Sequence, residues 1–206
     1  LARSLNIELV EAVLTKRIGD SVSALVKDNF SFIGHIVLFN ERYEDLSVDL
    51  LRLAEAIESS VGITSLVRVP EPNPSHIMRA VDAGAEGVQI PQVDTAAMAK
   101  NMSQAVRYFP EGKRGLCSYV RAAGYSHIPP DEHMATSNRE VLTVIHIEGE
   151  AAASGIDAIV ETPGVDVIFL GPWDLSQSLG VPGKTKDPKV IEVMDRVIAA
   201  CRKKGV

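Results

Sequence analysis

The sequence predicts an α/β protein built as a closed (β/α)8 barrel, and three observations carry that expectation. Short β-branched runs alternate with amphipathic helical patterns along most of the 206 residues. The runs are apolar on both faces, as strands of a parallel sheet covered on each side must be. No GxGxxG, and no GxxxxGK followed by Ser or Thr, comes after any of them. That removes the phosphate-binding fingerprint of an open nucleotide-binding sheet and favours closure into a barrel.

The candidate strands, in order, are FIGHIVLF (32–39), TSLVRV (64–69), EGVQIP (86–91), RGLCSY (114–119), VLTVIHIE (141–148) and VDVIFLG (165–171). Between them apolar residues recur at three and four in segments 45–59, 73–84, 93–109, 149–162 and 187–205, the period of a helix with one buried face. Asn73, Asp94 and Asp187 stand where N-caps belong, and Gly84 and Gly205 where helices end. Segment 1–26 has room for a further helix and a weak strand, and segment 122–140 (AAGYSHIPPDEHMATSNRE) reads as an irregular loop. An eight-stranded barrel usually takes about 250 residues. Residues 1–206 are therefore expected to form a single barrel domain that is incomplete at its C-terminal end, one βα unit short beyond Val206.

Composition narrows the ligand. A net charge of -6, with Lys and Arg scattered rather than clustered, gives no electrostatic footprint for nucleic acid or an anionic membrane, so a small molecule is the expected partner. No apolar run approaches the roughly 20 residues of a membrane span. Cys117 and Cys201 lack zinc-type spacing and are too few for a disulfide framework, which points to a reducing, cytoplasmic compartment.

In a parallel barrel the chemistry collects at the C-terminal ends of the strands. That filter returns Arg68, Gln89, Gln92, His146, Glu148 and Asp174. Glu148 and Asp174 lie one helix apart, at the same end of successive strands, where two carboxylates would repel unless a cation, a shared proton or an interposed base offsets them. Two carboxylates plus waters suit Mg2+ or Mn2+. Each acid could equally cap the helix that follows it. Arg68 reads either as a binder of an anionic oxygen or as half of a rim ion pair. His146 lies on the same strand face as Glu148 by period two and reads as a ligand contact or as a packed interior group. The backbone of Gly171, Pro172 and Trp173 precedes a helix start, where main-chain N–H groups can receive a carboxylate.

The stretches 66–100, 107–126 and 144–183 resemble the HpcH/HpaI aldolase family, the metal-dependent class II pyruvate aldolases that act on 4-hydroxy-2-oxo acids. The resemblance implies a (β/α)8 barrel, a divalent metal on Glu148 and Asp174, and a homo-oligomer, a hexamer with exchanged C-terminal regions. It further implies that Arg68 binds the 2-oxo acid and stabilises an enolate, that main-chain N–H groups near Gly171 and Trp173 hold the pyruvate carboxylate, and that Asp82 is the acid of a His–Asp base. The family's histidine is replaced: FNERYEDL (39–46) keeps Glu41 but has Phe39 in the acid's place and Arg42 in the histidine's, and His35, earlier and within the strand, reads as a packed core group more than as a substitute. Relatives commonly carry Gln at position 146 and Thr at 149, where this chain has His146 and Gly149.

The expected activity is cleavage or formation of a carbon–carbon bond in 4-hydroxy-2-oxo acids through a pyruvate enolate, with an aldehyde as the second partner. Two alternatives stand beside it. One is decarboxylation of an oxaloacetate-like acid on the same site, and the other is a catalytically silent barrel that binds a 2-oxo acid or serves as an assembly subunit.

Overall fold

The computed structural model describes residues 30–33, 36–40 and 64–206. Six strands form one sheet in chain order: β1 (Phe30–Ile33), β2 (Ile36–Asn40), β3 (Thr64–Arg68), β4 (Gly87–Ile90), β5 (Leu142–Ile147) and β6 (Val167–Leu170). From β2 to β6 every pairing is parallel, whereas β1 runs antiparallel to β2. The helices are α1 (Pro74–Asp82), α2 (Ala96–Val106), α3 (Pro130–Glu140), α4 (Glu150–Ser154), α5 (Ile156–Val160), α6 (Pro172–Ser178) and α7 (Pro188–Lys204). A 3-10 turn at Arg121–Ser126 precedes α3.

Strand alternation sorts the core into two sides. Val67, Val88, Ile90, Ile145 and Ile147 pack with Ile77, Val81, Met102, Val106, Ile156 and Ile159 of the helices. Leu66 and Val144, one residue out of phase, gather with Leu142 and Phe169 on the other side. Gly87 makes that inner approach possible: a Cβ there would lie 2.2 Å from Leu66 Cδ2 and 3.0 Å from Leu142 Cβ.

Several expectations change. The single strand expected at 32–39 is two antiparallel strands, β1 and β2. RGLCSY (114–119) is not a strand, because β4 pairs directly with β5, Gly87 opposite Leu142. Its backbone bonds elsewhere: Lys113 N–H donates to Gln104 O, and Arg114 N–H to Arg107 O, folding the segment back onto the end of α2.

The loop expected at 122–140 contains α3, which has Pro130 at its start, Asp131 and Glu132 in its first turn and Arg139 in its last. Its buried residues are His133 and Ser137, so it shows no apolar stripe. The helix expected at 149–162 is two short helices meeting at Gly155. Thr95, not Asp94, caps α2, accepting the Met98 N–H, while Asn73 and Asp187 cap α1 and α7 as expected. Segments 1–26 and 45–59 lie outside the described residues.

Candidate active site

Glu148 stands one residue beyond β5, and Asp174 is the third residue of α6, which follows β6 after Gly171. Because β5 and β6 are parallel neighbours, both acids lie at the same edge of the sheet. Asp174 is exposed, and Glu148 retains only 11% side-chain exposure. The two Glu148 oxygens have different surroundings. Oε1 accepts the Gln92 N–H at 2.7 Å. Oε2 lies 3.5 Å from His146 Nδ1 and 4.0 Å from Arg68 Nη2. Burial opposes ionisation of Glu148, but His146, the Gln92 N–H and the Arg68 charge together outweigh it, and the carboxyl group titrates below its ordinary range. The site therefore holds an anion at neutral pH, as a metal ligand must be.

Gly171 fits against this carboxylate. A Cβ at position 171 would lie 2.9 Å from Glu148 Cβ and 3.4 Å from Oε2. The glycine thus lets the β6 end close over Glu148. The Gly171 N–H itself donates to Ile147 O in the sheet. Trp173, 68% exposed, lies in the first turn of α6, where N–H groups have no intrahelical partner.

His146 is buried, and its ring stacks on Phe169 with centroids 4.7 Å apart. The 3.5 Å approach to Glu148 is at the outer limit of a hydrogen bond, and neither ring nitrogen has a closer partner among the described residues. Gln89 Oε1, also on the inner face, is buried without a hydrogen-bond partner among the described residues.

Asp82 lies elsewhere in the chain. It ends α1, at the edge of the sheet from which β4 starts, whereas Glu148 follows the end of β5. Its Oδ1 accepts from Arg114 Nη2 at 2.7 Å and Nε at 3.3 Å, while Arg114 Nη1 donates to Ser137 Oγ. Arg114 also lies 4.4 Å over the Tyr108 ring, and the Tyr108 hydroxyl meets His133 Nε2 at 3.1 Å. Within the chain Asp82 thus belongs to a network with Arg114, apart from Glu148. His35, Arg42 and Glu41 lie outside the described residues.

Among the described residues no three His, Cys, Asp or Glu side chains gather into a cage. The donor set is two carboxylates, one anchored and one in a helix first turn. That chemistry fits Mg2+ or Mn2+, which bind through one or two carboxylates and keep water.

An ionised carboxylate beside Arg68 thus stands at the strand-end edge of a parallel sheet backed by helices. The HpcH/HpaI aldolase/citrate lyase family model matches residues 44–206, and the chain belongs to that family. Among curated relatives, the 2-keto-3-deoxy-L-rhamnonate aldolase of Salmonella gallinarum (strain 287/91 / NCTC 13346) is 37% identical over 141 residues, covering 68% of this chain and 52% of the relative. The chain therefore spans about half the length of the curated relatives it matches. A crystal structure of an HpcH/HpaI aldolase/citrate lyase family protein from Burkholderia cenocepacia J2315 superposes with a TM-score of 0.76 at 30% identity, covering 84% of this chain and 68% of that one. The HpcH/HpaI aldolase from Desulfitobacterium hafniense DCB-2 gives 0.77 at 27% identity, covering 98% and 71%. The fold is the (β/α)8 barrel of these proteins, with five of its parallel strands, β2 to β6, among the described residues. No helix among the described residues is long and apolar enough to cross a membrane.

Proposed function

We propose that this protein is a metal-dependent lyase that breaks or forms a carbon–carbon bond in 4-hydroxy-2-oxo acids through a pyruvate enolate, with an aldehyde as the other product. The observation that carries this reading is the Glu148 carboxylate: ionised, anchored through one oxygen, and turned through the other toward Arg68 at the sheet edge shared with Asp174. Glu148 and Asp174 would hold Mg2+ or Mn2+, which supplies Lewis-acid polarisation of the 2-oxo group. Arg68 binds an anionic oxygen of the substrate and stabilises the negative charge that grows as the bond to the aldehyde carbon breaks. His146 would contribute a ring N–H or a lone pair beside Glu148 Oε2. Main-chain N–H groups in the first turn of α6, at Trp173, which have no partner within the helix, would receive the substrate carboxylate. The resemblance to the family extends this reading to a cytoplasmic homo-oligomer, a hexamer.

Decarboxylation of an oxaloacetate-type acid is the second reading. It needs the same cation and Arg68 but no base for a 4-hydroxyl. Two observations favour keeping it: Asp82 is committed to Arg114, and Arg42 stands in the histidine's place.

The test is pyruvate release from 2-keto-3-deoxy-L-rhamnonate and from oxaloacetate, with Mn2+ and with a chelator, using Glu148→Gln as the background control. Metal-dependent cleavage of the hydroxy acid is the expected result. Turnover of oxaloacetate alone selects the decarboxylase. Turnover of neither, with Mn2+ still bound, would show a binding module and refute the lyase reading.

A further inference from the structure

The strand-end carboxylate owes its orientation to an unusual backbone. Gln92 adopts φ 54°, in the left-handed region that disfavours any residue with a Cβ. Its side chain is exposed, between buried Pro91 and Val93, so packing of that side chain does not explain the conformation. What the conformation achieves is a bond: the Gln92 N–H reaches Glu148 Oε1 at 2.7 Å, across 56 residues of sequence. A backbone donor to a carboxylate at that length is a charge-assisted contact. With Oε1 engaged, Oε2 is the oxygen left facing Arg68 Nη2 and His146 Nδ1.

We propose that Gln92 is a positioning residue whose left-handed backbone ties down Glu148 Oε1, so that Oε2 is the oxygen offered to a divalent cation. This inference rests on the metal-binding reading above and adds to it the element that selects the ligating oxygen. Backbone held in a sparsely populated region at a functional carboxylate is where such a constraint is expected, and groups that orient a ligand from behind tune metal affinity strongly. The identity of the side chain is immaterial to the device. The N–H and its direction are what matter, and this separates the proposal from a role for the Gln92 amide.

Three variants separate these possibilities. Gln92→Gly keeps the N–H and enters the left-handed region freely. Gln92→Val resists that region, and Gln92→Pro removes the donor altogether. Mn2+ affinity measured by calorimetry is expected to stay at the wild-type value in the glycine variant and to weaken by about 10- to 100-fold in the valine and proline variants.

A second readout needs no metal. In urea unfolding of the metal-free protein, Gln92→Val is expected to lower the midpoint more when Glu148 is present than in a Glu148→Ala background, because the two residues are coupled. Equal Mn2+ affinity in wild type and the valine variant would overturn the proposal, as would an equal midpoint shift in both backgrounds or a loss of affinity in the glycine variant. Absence of Mn2+ binding by the wild type, with the coupling intact, would refute the metal reading while supporting the anchoring of Glu148 by Gln92.

Discussion

Adding one methyl group at Gly171 should disable the site without touching a charged residue. Gly171 has φ -103° and ψ 81°, outside the left-handed region, so alanine is not excluded by backbone conformation and the effect is steric. The new Cβ would lie 2.9 Å from Glu148 Cβ, well inside the roughly 3.5–4.0 Å separation at which carbon atoms attract. The obstructing atom is at the root of the Glu148 side chain, so a rotation of the carboxylate does not relieve the clash. Overpacking of this kind costs about 1–3 kcal/mol. If Glu148 gives way instead, it surrenders the hydrogen bond from Gln92, a bond to a charged group worth about 1.5–3 kcal/mol. Either route moves a carboxylate that the cation needs, and the expected loss in Mn2+ affinity is about 10- to 100-fold. Calorimetric titration of Gly171→Ala against wild type, with urea unfolding alongside, separates the two routes. Affinity and pyruvate release equal to wild type in a folded Gly171→Ala protein would refute the assignment of Gly171 as the cradle of Glu148.

The Asp82–Arg114 pair predicts a stability defect: Asp82→Asn leaves the Arg114 guanidinium, whose side chain is fully buried, without its counter-charge, at a cost of about 3 kcal/mol in urea unfolding. An unfolding midpoint unchanged from wild type would remove Asp82 from the structural network. His133 predicts a pH dependence. Burial, followed by the Arg114 charge, lowers its pKa below the ordinary 6.5 despite the opposing Asp82 charge. The folded state thus stays neutral where the unfolded chain takes up a proton, so this contribution to stability is complete above the unfolded pKa and falls away as pH drops toward the folded value. The stability advantage of wild type over His133→Asn should shrink on acidification through that window, and an advantage that grows instead would contradict the assignment. At Gly87, alanine should destabilise by about 1–3 kcal/mol through contact with Leu66 and Leu142. Chemical denaturation of Gly87→Ala measures this directly, and an unchanged midpoint would show that the strands separate freely.

The strands that carry the site were legible because their residues are apolar on both faces and their flanking helices have clear stripes. TSLVR, GVQI, LTVIHI and VIFL all appear where periodicity puts them. Glu148 and Asp174 followed from where those strands end. RGLCSY failed as a strand because a Leu, a Cys and an aromatic Tyr say nothing about which backbone the segment bonds to, and that backbone returns to α2. Helix α3 failed because it buries a histidine and a serine instead of an apolar stripe. The Asp82–Arg114 pair was not legible because motif position gives a residue's neighbours along the chain, while Arg114 comes from a segment read as a strand. Gln92 was visible only as a polar residue at a strand mouth. Its positive φ is a tertiary outcome, and no glycine marks it in the sequence. Gly171 was noticed for its N–H, but its use lies in the missing Cβ.

The most direct test of the account is equilibrium binding of Mn2+ to wild type, Glu148→Gln and Asp174→Asn, each shown to be folded. The account predicts a single ion per chain in the wild type and affinity weakened by about 10-fold or more in each variant. Binding that is indifferent to both substitutions would contradict it.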